Sequence, residues 1–380
     1  MSRFPSIWPT VLAHLKAGKP DHPVLYFAPT VLQDTARRFQ AGFDGLVTYA
    51  VKANDARVVL ENLMAAGINA FDVASPPEMR RIRAISPHVA LHYNNPVRSP
   101  AEIREAKALG VSSYSIDGLG ELAKLAAIVP PAGVEVAVRL RLPVKGAAYD
   151  FGEKFGEDPD GAVILLKAVS QAGFTPSMTF HPGTQCLDPD AWRVYIDACA
   201  DVARRAGVRL ARLNVGGGFA GNRDGFAPDL EAIFDAIHRA RDAAFGADAP
   251  ALVCEPGRAM VSDAYTLATQ VKSVRDCGAV FLNDGIYGGF AEAPLIGVVD
   301  RISTLHPDGT AHQAPMVERL VYGPTCDSVD RLPDPVALPE TLKEGDYVVF
   351  EGMGAYSTAT VTRFNGYGAI RVITVQAGGI

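Results

Sequence analysis

The sequence predicts an α/β protein: a (β/α)8 barrel of the TIM type joined to a C-terminal, mostly β domain. Three observations predict it. Eight short apolar runs alternate with helical stretches between about residues 46 and 255. Several of those runs are continuously apolar rather than alternating, as parallel strands covered on both faces require. After Glu255 the texture changes to β-prone runs separated by Gly, Pro and Asp turns, with little helical periodicity. The 380 residues suit two domains at roughly 100–200 residues each, or one barrel with an addition. A doubly wound open sheet produces a similar string, so what favours the barrel is the count of eight.

Taken in order, the expected barrel strands are 46–51, 70–74, 89–93, 112–116, 134–140, 177–180, 212–215 and 251–254. The helices between them carry their own punctuation. Ser99-Pro100-Ala101-Glu102 has the form of a capping box with proline at the first helical position, and Gly110 stands where that helix should stop. The stretch 191–205 is amphipathic, with Asp190 before it and Gly207 behind. The stretch 229–245 repeats the pattern ahead of Gly246. Beyond the barrel, 261–274, 279–282, 316–321, 347–350 and 370–375 read as strands, and the proline-rich 332–344 reads as a surface loop. The N-terminal run 24–28 is a candidate addition to this β domain. The expected division is thus 25–258 for the barrel, with 1–24 and 259–380 forming the β domain.

Composition narrows the function classes. Lys and Arg number 36 against 42 Asp and Glu, a net charge of −6 without charge blocks, which argues against a nucleic-acid partner. No apolar run reaches the ~18 residues of a membrane span, and residues 1–20 lack a basic segment followed by an apolar stretch. Five widely spaced cysteines with no CxxC pair indicate neither a disulfide framework nor a zinc knuckle. The expectation is a cytoplasmic protein that binds a small molecule, with no nucleic-acid, membrane or metal partner.

In a barrel, reacting groups gather at the C-terminal ends of the strands. Lys52 stands there in Tyr49-Ala50-Val51-Lys52-Ala53-Asn54, His181 in His181-Pro182-Gly183-Thr184-Gln185, the triplet Gly216-Gly217-Gly218 after Val215, and Glu255 after Cys254. Each alone has an ordinary explanation: a solvated lysine, a hydrogen-bonded histidine, a tight turn, a glutamate before a Pro-Gly turn. Together they match one cofactor. Glycine-rich backbone and Arg258 suit a phosphate, a lysine amine forms a Schiff base with an aldehyde, and a carboxylate keeps a pyridine nitrogen protonated. Phosphate, aldehyde and pyridinium are pyridoxal 5′-phosphate.

Those motifs, with Phe71–Glu78, Gly323-Pro324-Thr325-Cys326-Asp327-Ser328, Gly354-Ala355-Tyr356 and Phe364-Asn365-Gly366, resemble the fold-type III (alanine-racemase-fold) pyridoxal-phosphate decarboxylases of the ornithine and diaminopimelate group. The resemblance spans nearly the whole chain in order and leans to the ornithine type. It implies that Lys52 holds the cofactor, His181 stacks on its ring and Glu255 pairs with the ring nitrogen. Gly217, Gly218, Arg258, Thr184 and Tyr356 surround the phosphate, and Asp72 and Arg139 shape the surroundings of Lys52. Cys326 returns a proton to the substrate carbon, and Asp327, Glu292 and Tyr287 face the substrate. It also implies a homodimer with shared active sites, in which Cys326 and Asp327 reach the partner's cofactor and Lys154 pairs with Asp330 across the interface.

The resemblance implies decarboxylation of a basic amino acid of the ornithine or lysine type. One departure keeps alternatives open. After Asp284-Gly285-Ile286-Tyr287-Gly288-Gly289-Phe290, the place of the acid that receives a distal amine is taken by Ile296, with Leu295 before it and Glu292 the nearest carboxylate. An ammonium buried there without a partner is costly. The substrate is then ornithine or lysine held by Asp327 and Glu292, an N-acylated ornithine such as a siderophore precursor, or diaminopimelate. An inactive regulator of polyamine metabolism is the reading outside enzymes, although such proteins lose cofactor groups that all stand here.

Overall fold

A computed structural model describes residues 7–143 and 154–380. Residues 1–6 of the expected β-domain segment and 144–153 of the expected barrel lie outside the described residues. The chain divides into two compact units, one of residues 36–220 and 228–257 and one of 1–35, 221–227 and 258–380. The second unit therefore takes residues 25–35 and 221–227, which the sequence reading gave to the barrel. The strand Val24–Phe27 lies within its sheet, and an expected boundary at 24/25 runs through that strand.

The first unit is a parallel ring. Its sheet contains Ala70–Val73, Ala90–Tyr93, Ser113–Ile116, Glu135–Arg139, Thr175–Thr179, Arg212–Asn214 and Ala251–Cys254, every neighbouring pair parallel. The remaining run, 46–50, is interrupted at Thr48 and closes the ring. Leu46–Val47 pairs with Ala251–Cys254 on one side, and Tyr49–Ala50 pairs with Ala70–Val73 on the other. Thr48 bridges the gap by donating both its N–H and its hydroxyl to the Cys254 carbonyl, each at 2.9 Å. Seven of the eight runs are bounded within a few residues of the positions that hydrophobic patterning predicts. The helices obey the predicted stops: Ser99 and Glu102 form the reciprocal capping box of Pro100–Ala108, and Gly207 closes Asp190–Ala206 in the left-handed region. Asp190 is the first helical residue there rather than the cap.

The second unit is mostly β. Ile7–Trp8, Arg371–Val375, Val24–Phe27 and Tyr265–Val274 lie side by side in that order, and Tyr347–Glu351 joins Tyr265–Val274 to Ile302–Leu305. Trp8, Leu15, Val24, Tyr26, Tyr347, Val349 and Ile373 pack in its core. The proline-rich stretch 332–344 is not simply a loop. Val336–Pro339 pairs antiparallel with Met316–Arg319, and Val336 and Leu338 are buried. The strand has one partner in a two-stranded sheet, and its single proline, Pro339, stands at its end, a place open to a residue without an N–H.

Candidate active site

The barrel unit brings eight predicted residues to the C-terminal ends of its strands. Lys52 lies in the one-turn helix Val51–Ala53 directly after Tyr49–Ala50. Buried Tyr49 steadies that turn by donating its hydroxyl to the Asn54 carbonyl at 3.0 Å. A side chain at Gly257 would sit 3.1 Å from the Ala53 Cβ and 3.2 Å from the Ala50 Cβ. Glycine there lets the 255–257 segment run close beside the lysine turn.

Glu255 follows Ala251–Cys254 and is buried. Two amide side chains, Asn94 and Asn214, both donate to its Oε1. Asn214 also accepts the Gly216 N–H at 2.9 Å, and the Gly216 carbonyl accepts the Glu255 N–H at 2.9 Å. The carboxylate and the glycine turn are thereby one hydrogen-bonded assembly. Burial and the nearby Asp72 charge push the Glu255 carboxyl up to about 8, against the pull of Asn214, Lys52 and Arg139. Asp72, in Ala70–Val73, is raised by burial too, while Lys52, Asn94 and Arg139 favour its charged form. Glu78 is raised by burial and accepts the Ala74 N–H at 2.7 Å. Arg139, ending Glu135–Arg139, is itself buried enough to be lowered, and its guanidinium lies 5.3 Å over the Phe155 ring.

His181 is held far below its ordinary value by burial and by the Lys52 and Arg139 cations. Its Nδ1 accepts the Gly183 N–H at 3.1 Å. The imidazole is therefore neutral and offers a flat uncharged face. Gly216 and Gly218 have φ of +70° and +85°, a region that favours glycine. A Cβ on Gly217 would stand 2.8 Å from the Glu255 carbonyl and 3.2 Å from His181 Nε2, and one on Gly218 2.5 Å from the Gly183 carbonyl. The Cys186 N–H donates to the Gly218 carbonyl at 2.9 Å, which pins the loop carrying Thr184 against the glycine turn.

These residues fit pyridoxal phosphate. The test is Glu255: a buried carboxyl whose two amide donors both go to Oε1 suits a ring N–H as a further, positive partner. The glycine cradle, which added Cβ atoms would fill, leaves backbone open to a phosphate. Lys52, Asp72, Arg139, His181, Thr184, Gly217, Gly218 and Glu255 would hold the group from this unit.

The β unit makes two further clusters. In the first, Arg258 is buried and donates to Glu292 Oε1 at 2.6 Å, with its guanidinium 5.0 Å over the Tyr356 ring. Tyr356 has φ of +62°, strained for a residue with a Cβ. Gly354 must be glycine because a Cβ would lie 1.9 Å from the Val261 carbonyl. A cleft here is lined by Arg223, Arg258, Glu292 and Tyr356. Glu292, expected to face the substrate, is thus engaged through Oε1 with a cation of its own chain. Arg258, with 8% of its side chain exposed, has its anion in Glu292, as a buried cation requires.

In the second cluster, Cys326 Sγ and the Cys326 N–H both point to Asn365 Oδ1, each at 3.0 Å. The Tyr287 hydroxyl donates to Asp327 Oδ2 at 2.5 Å, and its ring packs 5.0 Å from Phe364. That hydrogen bond holds the Asp327 carboxyl below the usual carboxylate range. Asp330, expected to meet Lys154 of a second copy, is 1% exposed. Within the chain it accepts from the Ile286 N–H and from the Thr325 N–H and hydroxyl. Lys154 has its Nζ 5.0 Å over the Phe155 ring.

Residues 31–262 match the family model "Pyridoxal-dependent decarboxylase, pyridoxal binding domain". The chain belongs to the pyridoxal-dependent decarboxylases. It is 33% identical over 332 residues to a lysine/ornithine decarboxylase of Selenomonas ruminantium, covering 84% of this chain and 81% of that one. It is 30% identical over 342 residues to the mouse (Mus musculus) ornithine decarboxylase, covering 84% and 73%. Among solved structures, a Paramecium bursaria Chlorella virus arginine decarboxylase bound to agmatine superposes with a TM-score of 0.85 at 28% identity, covering 94% and 97%. The fold is accordingly the barrel plus β domain of these decarboxylases. The protein is a pyridoxal-phosphate-dependent amino-acid decarboxylase.

Three residues of this decarboxylase escaped the sequence reading, Asn94, Asn214 and Arg223, and Asn365 stood in the Phe364-Asn365-Gly366 motif without an assigned role. A signal existed for the first two. Both stand at the ends of buried parallel strands, where an amide must find partners and where barrel enzymes place their chemistry. Arg223 sits in a Gly- and Asn-rich loop with no local pattern around it, and the Asn365 motif did not by itself point to Cys326.

Proposed function

We propose that this decarboxylase acts on a basic L-amino acid of the ornithine or lysine type, as a cytoplasmic homodimer whose sites are shared between subunits. The observation that carries the substrate class is the Tyr287–Asp327 pair. A carboxylate held ionised by a 2.5 Å hydroxyl contact, next in sequence to Cys326, suits a distal ammonium. The family relatives named for ornithine, lysine and arginine point to the same class. Glu292 then serves by orienting Arg258 rather than by binding substrate.

Bound pyridoxal phosphate supplies a protonated ring that accepts the electrons left behind when CO2 departs. The chain's own groups do the rest. Lys52 Nζ is the nucleophile for the cofactor aldehyde, and Glu255 holds a proton toward the ring nitrogen. Neutral His181 lends a flat face and adds no charge. Thr184, Gly217 and Gly218 would receive the phosphate from the barrel unit, Arg258 and Tyr356 are the β unit's own candidates for a phosphate, and Asp72 and Arg139 would balance charge around Lys52. Cys326 Sγ would supply the proton that Cα takes in place of the departed CO2. Asn365 Oδ1, 3.0 Å from that sulfur, fixes where the thiol points.

The test is steady-state kinetics on ornithine, lysine, arginine, diaminopimelate and an N-acylated ornithine. The expected best substrates are ornithine and lysine. Asp327→Asn should raise KM for both by about tenfold or more, the loss of a charged partner for a desolvated ammonium. Preference for the N-acylated substrate, or an Asp327→Asn variant with unchanged KM, would overturn the assignment.

A further inference from the structure

The β unit contains a second set of chemistry-bearing side chains that takes no part in the cofactor site. It arises from strand register. Ile302–Leu305 pairs antiparallel with Tyr347–Glu351, with Leu305 opposite Tyr347. The next residues outward, His306 and Asp346, leave the ladder side by side. A tight turn follows, closed by the His306 N–H to the Thr310 carbonyl and the Gly309 N–H to the His306 carbonyl, both 2.8 Å. It returns the chain so that the His312 N–H meets the Thr304 carbonyl at 3.3 Å. His312 thereby joins the other two.

The donor geometry is compact. Asp346 is fully buried, with His306 Nδ1 3.2 Å from its Oδ1 and His312 Nε2 3.1 Å from its Oδ2. The two imidazole centroids are 3.8 Å apart. One atom from each of the three residues falls within a 4.8 Å span. Two ligands about 2.0 Å from a tetrahedral zinc ion stand roughly 3.3 Å apart, close to both nitrogen–oxygen separations. The His312 side chain is 1% exposed, yet its Nε2 is buried with no aligned hydrogen bond. Its other nitrogen, Nδ1, lies 3.3 Å from Thr341 Oγ1. With the ring proton on Nδ1, the Nε2 lone pair faces the carboxylate, an arrangement that a cation between them resolves. Metal-binding histidines are oriented in this way by a partner on the far nitrogen. Asp346 Oδ2 also accepts the Lys343 N–H at 2.9 Å, which fixes the carboxylate from behind.

We propose that His306, His312 and Asp346 form a binding site for a divalent transition-metal ion, zinc by its donors, that ties the 306–312 turn to the 343–346 turn. Two nitrogens and one carboxylate suit zinc and disfavour calcium or magnesium, which take oxygen ligands. His306, one third exposed, gives solvent a route to a fourth position.

The experiment uses the pyridoxal-phosphate-loaded protein after chelation, titrated with zinc chloride and separately with cobalt chloride. A Cys277→Ser, Cys326→Ser background removes the two exposed thiols as competing ligands. The expected result is one zinc per chain retained on gel filtration, cobalt ligand-field absorption, and a zinc-dependent rise in Tm. His306→Gln, changed at the most exposed of the three, should keep the fold by circular dichroism and weaken binding by more than about tenfold. His312→Ala should do the same. Absence of a retained zinc in the parent protein, or its persistence in both histidine variants, would overturn the proposal. So would a Tm that responds to pH but not to zinc or chelator, because protons would then be filling the role.

Discussion

At Glu255, the number of hydrogen bonds and the state of the proton are in tension. Two amide donors stabilise the anion, and burial with Asp72 destabilises it by more, leaving the carboxyl near 8. Removing one donor should shift the balance further. Asn94→Ala is expected to lower kcat/KM by about 10- to 100-fold, the worth of roughly 1.5–3 kcal/mol in a hydrogen bond to a charged group. Because Asn94 acts through Glu255, the acid limb of the pH–rate profile should move upward and kcat should fall more than KM rises. A lower rate with an unmoved profile would reduce Asn94 to packing. The same carboxyl makes a prediction for the cofactor-free protein. Its folded value is raised above the ordinary 4.5, so the folded state binds the proton more tightly than the unfolded chain. Its stabilising contribution is complete below about 4.5 and is lost as pH rises toward 8. The Tm of the cofactor-free protein should fall across that window, and Glu255→Gln should flatten the fall.

At the level of single elements, the glycine turn between Arg212–Asn214 and the residues after it is the most constrained. Gly217 has no positive φ, so its requirement is one of space. An alanine there places a methyl 2.8 Å from the Glu255 carbonyl and 3.2 Å from His181 Nε2. Gly217→Ala should therefore fold, with stability lowered by about 1–3 kcal/mol, and lose affinity for pyridoxal phosphate by about tenfold or more. Equilibrium dialysis with the free cofactor measures it directly. The strands and caps of the barrel were legible because their signals are local: a continuous apolar run, a Ser99–Glu102 box, a glycine after a helix. The Val336–Pro339 strand was not. Its proline-rich surroundings read as loop, and only its pairing with Met316–Arg319 gives it a strand's role.

For the molecule as a whole, the β unit leaves Leu320, Val329, Phe364 and Tyr367 exposed, in the neighbourhood in sequence of Cys326, Asp327 and Asn365. Burying such a set against a second copy would lower its cost in water. If Cys326 completes the partner's site, a mixture of inactive Lys52→Ala and inactive Cys326→Ala should recover activity, since one hybrid site contains both intact residues. Recovery near one quarter of wild-type activity is expected at equal mixing and full exchange, by the statistics of one good site in half of the dimers. Sedimentation should show the dimer for each variant. No recovery after demonstrated subunit exchange would mean that every chain builds its own site.

The sequence by itself determined the order of the strands, their helical stops and the placement of Lys52, His181, the glycine triplet and Glu255 at strand ends. Each of these follows from periodicity and local chain chemistry, which operate over a few residues. Tertiary structure alone decided which groups share a hydrogen bond. Asn94 and Asn214 reach one oxygen of Glu255 because the ring closes through 46–50 and sets strand ends beside one another. Glu292 meets Arg258, and His306 and His312 meet Asp346, through the folding-back of loops and the register of paired strands. Such partners are separated by tens to hundreds of residues, and no local pattern of hydrophobicity records a distance across a sheet.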